Sequence, residues 1–145
     1  MSHVTILRCG AAALTLAAWV VGMAPANAET VTLKADLKGS NEVPPNDKTG
    51  SGSVTLTLDT ATKKLSWSGT ITGLSANPTA AHFHGPAEAG KNAGVIVPIG
   101  NPGAKLEGSA ELTDAQMGDL LAGRVYVNVH TAAHPGGELR GQVTK

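Results

Sequence analysis

Residues 80–86 read A-A-H-F-H-G-P, and His82 and His84 flank the chain's only phenylalanine, Phe83. On a strand, residues two apart share a face. The two imidazoles then leave one side while Ala81, Phe83 and Gly85 take the other. Their Cα atoms would lie about 7 Å apart, close enough for both side chains to reach one ion. The stretch R-V-Y-V-N-V-H, Arg124 to His130, repeats the arrangement. Val125, Val127 and Val129 form its apolar set, and Tyr126, Asn128 and His130 share the opposite face. If the two strands are neighbours, three neutral imidazoles meet outside the core. Such a set suits copper first and zinc second, since imidazole serves both and no thiolate competes. His134, in the loop H-T-A-A-H-P-G-G, can supply a fourth nitrogen or line the entrance, although loop decoration is the simpler reading. The bland alternative for His82 and His84 is hydrogen bonding to nearby backbone, shaping the turn at Gly85-Pro86.

Three charged residues accompany the histidines. Glu138 and Arg140 are two apart and share a face of the last expected strand. Arg140 near a metal would draw in an anion. Asn128 and Glu138 are candidates to orient an imidazole from behind. For Glu42 and Glu138 the simpler reading is a surface ion pair, which contributes little.

These residues need elements to position them. Val31, Leu33, Ala35 and Leu37 alternate with polar residues, as do Val54, Leu56 and Leu58, then Leu65, Trp67, Gly69 and Ile71. Period two with abundant Val and Thr predicts half-buried strands. Further strands are expected at 80–85, 95–99, 104–111, 124–130 and 138–143. About eight short strands with Gly, Pro, Asn and Ser turns predict an all-β, Greek-key-like antiparallel β-sandwich. One short helix connects them. Thr113 and Gln116 spell a capping box, Leu112 and Met117 its staple, and Gly123 its stop. E-V-P-P, Glu42 to Pro45, is an extended loop.

Residues 1–28 read as a secretory signal peptide: Arg8, an apolar run from Ala11 to Gly22, then Ala26-Asn27-Ala28, with cleavage after Ala28. The run is too short for a comfortable membrane span of about 20 residues. Cys9 precedes the run, so it is not placed for lipid attachment, and processing removes this only cysteine. The expected mature chain, 29–145, is one periplasmic or secreted domain without a membrane span. It keeps four of the chain's five histidines. Charge is near balance, with 11 Lys+Arg and 11 Asp+Glu in the full sequence and no basic run. Nucleic acid is therefore not an expected partner. Trp67, Phe83 and Tyr126 are too few for a stacking platform. G-K-N-A-G at 90–94 lacks P-loop spacing, and no G-x-S-x-G elbow or paired-carboxylate spacing suggests a hydrolase.

E-V-P-P (42–45), A-H-F-H-G-P (81–86), Y-V-N-V-H-T (126–131) and G-E-L-R-G-Q-V (137–143) together resemble the CHRD domain, a module of chordin and of bacterial secreted proteins. The resemblance spans 29–145 and implies a β-sandwich, with no settled activity. A looser resemblance, to copper/zinc superoxide dismutases, concerns the order H-x-H, strand-end histidine, glycine-rich loop, arginine. It implies His82, His84 and His130 as copper ligands and Arg140 as the anion-guiding arginine. The zinc loop with its bridging histidine and aspartate is missing, so a single-metal version is what this pattern would allow.

Two functions follow as expectations. One is an exported copper-binding module built on His82, His84 and His130, extending to superoxide chemistry if it turns over at all. The other is a non-enzymatic module that binds an extracytoplasmic protein through loops or a sheet edge, with structural histidines.

Overall fold

The computed structural model describes residues 28–100 and 102–145. The expected signal peptide lies outside the described residues, apart from its last one, Ala28. Eight strands follow in order: β1 Thr30–Lys38, β2 Ser51–Asp59, β3 Lys64–Thr72, β4 Pro78–His84, β5 Val95–Ile99, β6 Lys105–Glu111, β7 Tyr126–Thr131 and β8 Leu139–Gln142. One helix, α1 Asp114–Leu121, joins β6 to β7, and a single 3-10 turn, Gly39–Asn41, follows β1. Among the described residues, no helix is long and apolar enough to cross a membrane.

The fold is all-β and antiparallel, as the alternation predicts. All eight strands join one hydrogen-bonded sheet, ordered β5-β4-β7-β8-β1-β2-β3-β6. Its end strands, β5 and β6, come close to each other, so the sheet curls into a nearly closed barrel. Hairpins link β1–β2–β3, β4–β5 and β7–β8, while the chain crosses between the two halves after β3, β5 and β6. That non-sequential order is the Greek-key element of the expectation.

The inward residues fall where period two puts them. Leu33, Ala35 and Leu37 on β1, Val54, Leu56 and Leu58 on β2, and Phe83 on β4 are buried. The two halves meet through Trp67 of β3 and Phe83 of β4, edge to face at 5.0 Å between ring centroids. Such a pair adds about 0.5–1.5 kcal/mol beyond its buried area. Gly108 stands opposite Trp67 in the β3–β6 register, and a Cβ there would sit 2.6 Å from the indole Cζ2. The glycine is a gap that the indole fills.

The helix forms as its ends predict. Thr113 is the N-cap: its hydroxyl accepts from the Gln116 N–H, and the Gln116 side chain accepts from the Thr113 N–H. Gly123 takes φ +73° after the last turn, a conformation glycine adopts without strain. Leu120 anchors α1 in the core.

Two glycine substitutions should have opposite signs. Gly108→Ala forces the indole aside and should lower stability by about 1–3 kcal/mol. Gly118→Ala, in the helix with open space at its Cβ position, should raise stability by about 0.5–1 kcal/mol. Urea unfolding of both variants beside the wild type measures the pair.

Candidate metal centre

β7 is central to the polar side of the sheet. It lies between β4 and β8. The registers pair His82 with Asn128, His84 with Tyr126, and Ala80 with His130 across β4–β7. Across β7–β8 they pair Asn128 with Arg140 and Tyr126 with Gln142. Directly paired residues share a face. His82, His84, Tyr126, Asn128, His130, Arg140 and Gln142 therefore all leave the core on one side. The bulge between Phe83 and His84 on the β5 side adds the local twist that re-aims a strand-end side chain.

The three expected histidines converge. One nitrogen from each of His82, His84 and His130 lies within 4.8 Å of the others, a group that could hold a metal ion. The closest pair is His82 Nδ1 and His130 Nε2, at 3.2 Å. Two nitrogens on one ion can be at most about 4.2 Å apart, twice the metal–nitrogen bond. The first pair is already inside that limit, and a bound ion would draw the trio inward.

The far side of two rings is tied down. His84 Nδ1 is 3.0 Å from the Ala93 carbonyl, and His130 Nδ1 is 3.0 Å from the Pro135 carbonyl. A carbonyl only accepts, so both Nδ1 atoms carry the proton and donate. Each Nε2 is then left as a lone pair. His84 Nε2 is buried with no hydrogen-bond partner, which is costly for a polar atom unless something binds there. A backbone carbonyl behind each imidazole is the arrangement that holds metal-ligating histidines in the correct tautomer. The donor set thus fits a borderline metal ion.

Burial is the main cause holding His82 below its ordinary 6.5, with repulsion from a charged His130 next. For His84 burial again comes first. Its bond to Ala93 opposes the shift, and the charges of His82, His130 and Arg140 reinforce it. Both rings are biased toward the neutral, metal-ready form.

The remaining candidates are placed differently. His134 belongs to the β7–β8 loop, where its backbone bonds Thr131, and it is not one of the converging histidines. Asn128 is buried and donates to Glu42 Oε1 and to the Leu139 carbonyl. Arg140 is 2% exposed. It donates to Asn92 Oδ1 at 2.8 Å and to the Lys91 carbonyl, and its guanidinium carbon lies 3.5 Å from the Tyr126 ring centroid. Tyr126 is stacked parallel to His84 at 4.9 Å. Because β4 and β8 flank β7, the tyrosine ring stands between His84 and Arg140.

The surface reading of Glu42 and Glu138 is corrected. Glu138 is fully buried, and its carboxylate accepts from the Ser75 N–H, the Ser75 hydroxyl and the Thr131 hydroxyl, each at 2.7 Å. It fastens the β3–β4 connection to β7. Glu42 is buried between Asn128 and the charge of Arg140. Neither takes part in an ion pair among the described residues. Alternation could place Glu138 on a face, but not show that loops cover that face.

The tyrosine between His84 and Arg140, and the strap Lys91-Asn92-Ala93, escaped sequence reasoning. Tyr126 was visible on the histidine face, whereas the strap consists of backbone acceptors that no residue type announces.

Burial alone would raise the Glu138 carboxyl, but its bonds from Thr131 and Ser75 carry it below the ordinary 4.5. A carboxyl depressed in the folded state stabilises it above the unfolded value, and that contribution is lost as pH falls. Wild-type stability should therefore decline below about pH 4.5. In Glu138→Gln the decline should be shallower and the neutral-pH stability lower. Thermal unfolding across pH 3–7 reads both.

A family model for the CHRD domain matches residues 33–143. Comparison with curated proteins and with solved structures gives no match. The matched span runs from β1 through the residue after β8, so it takes in every strand and all three converging histidines, and the chain belongs to the CHRD domain family.

Proposed function

We propose that this CHRD protein is an exported metal-binding module that holds one ion, preferentially copper, through His82 Nδ1, His84 Nε2 and His130 Nε2. The observation that carries the reading is the buried, partnerless Nε2 of His84 in a trio whose other rings converge on it. The Ala93 carbonyl supports it by leaving the His84 lone pair free, and the Pro135 carbonyl by aiming the His130 lone pair at His82 Nδ1, whose proton a bound ion would replace. An all-imidazole set favours Cu(II) over Zn(II) by intrinsic affinity. When bound, copper would supply a one-electron couple. The protein's own contribution is to bias His82 and His84 toward the neutral form, fix the tautomers of His84 and His130 and stack His84 on Tyr126.

Binding is better supported than turnover. The resemblance to superoxide dismutases assigns Arg140 to draw an anion toward the metal. Arg140 is buried behind Tyr126 and bonded to the strap, so its guanidinium does not face the histidine cluster, although His84 feels its charge. His134 is left as a loop residue, and Glu138 serves the structure around His130 through Thr131. The proposed cleavage after Ala28 accords with CHRD domains being generally extracellular, and the exported location follows as part of the same proposal.

Purified mature protein should bind Cu(II) at one equivalent in a calorimetric titration, and Zn(II) more weakly. His82→Ala/His84→Ala should lose stoichiometric binding while keeping its far-UV dichroism. A folded double variant with wild-type copper affinity would sink the assignment. Partner capture by metal-free wild-type protein, with no metal uptake, would support the interaction module instead.

A further inference from the structure

A cavity of about 500 Å³ lies on the Arg140 side of the Tyr126 ring, between the loop after β1 and the β4–β5 connection. Arg140 and Gln142 line it from β8, Glu42, Val43 and Pro45 from the first loop, and Ala89 from the second. Its size is in the range of small-molecule sites. No converging histidine lines it.

Arg140 makes this cavity more than a surface dent. Arg140 is 2% exposed, yet the hydrogen-bond partners of its guanidinium are neutral: the Asn92 amide oxygen and the Lys91 carbonyl. The ion pairs among the described residues are Lys48–Asp47, Lys63–Asp114 and Arg124–Asp119, none of which includes it. The Glu42 carboxyl feels this charge but forms no ion pair with it, and a buried charge without a paired counter-charge is costly. Of the five N–H groups on a guanidinium, acceptors among the described residues take two. Gln142 spends its amide N–H groups on the carbonyls of Ala87 and Gly123, so the cationic donor at the cavity is Arg140.

We propose that this cavity binds a small organic monocarboxylate, whose carboxylate pairs with Arg140 and whose apolar body rests on Val43, Pro45 and Ala89. A planar carboxylate matches the guanidinium fork. The apolar lining calls for several carbons rather than a bare inorganic ion. Glu42, on the same wall and turned toward Asn128, disfavours each added negative charge, so a monocarboxylate is preferred over a dicarboxylate or dianionic phosphate. This site is independent of the metal reading, because the tyrosine ring separates the two.

The test is an NMR titration of the metal-free mature protein with sodium benzoate, benzamide and inorganic phosphate. Benzoate should give saturable shifts at the amides of Glu42 and Gly90, with benzamide and phosphate at least tenfold weaker. Ala89→Trp, at an exposed loop position, should obstruct the cavity and weaken benzoate at least tenfold while leaving Cu(II) binding unchanged. His82→Ala, which leaves the His84 bond to Ala93 in place, should bind benzoate like the wild type. No saturable benzoate shift, equal binding of benzamide or phosphate, or benzoate binding indifferent to Ala89→Trp would overturn the site. Loss of benzoate binding in His82→Ala would also overturn it, by placing the anion at the imidazoles.

Discussion

A strand buried on both faces sets the terms for this molecule. β7 contributes Val127 and Val129 to the apolar core, while Tyr126 and Asn128 on its other face are almost equally buried. An apolar face is satisfied by contact alone. A buried polar face needs a partner for each donor and acceptor, because an unpaired group there costs about 1–3 kcal/mol. The loop after β1, the β4–β5 connection and the β7–β8 turn supply those partners. Glu42 receives Asn128, the strap 91–93 receives Arg140 and His84, and Pro135 receives His130.

Covering the polar face also couples it. Asn92 accepts from Arg140 and donates to the Val43 carbonyl, so it ties two covering loops to one guanidinium. Ala93 accepts from His84 and shares hydrogen bonds with the Tyr126 hydroxyl. The stack of His84, Tyr126 and Arg140 is thus held at both ends by one short segment. Gly137 permits the closest approach on the opposite side. It has φ +129°, and a Cβ there would lie 2.6 Å from both Asn128 Nδ2 and Glu42 Oε1.

The electrostatics divide the face into two environments. On the β4 side three imidazoles gather, and burial pushes His82 and His84 toward neutrality. On the β8 side a guanidinium is held with neutral acceptors, and a carboxyl, Glu42, is raised by burial despite the bond from Asn128 and the charge of Arg140. The aromatic ring of Tyr126 lies between them. A cation suits the first environment and an anion the second, as the two proposals require.

Local chemistry was legible in the sequence because it repeats locally. Period two marked the strands: β5 appears at 95–99 as expected, while β4 and β7 are displaced by about two residues, from 80–85 to 78–84 and from 124–130 to 126–131. The capping box at Thr113 needed only residues three apart. The same alternation put His82, His84 and His130 on faces opposite their apolar neighbours. It also put Glu138 and Arg140 there, but exposure was the wrong inference for Glu138, since what covers a face arrives from loops distant in sequence. Only the tertiary structure paired β4 with β7 so that residues 48 positions apart meet at 3.2 Å. It alone turned backbone carbonyls into tautomer locks and buried Arg140 beside a cavity. Alternation is a property of one strand, whereas register and cover depend on which strands and loops become neighbours, and a single chain's pattern does not encode that locally.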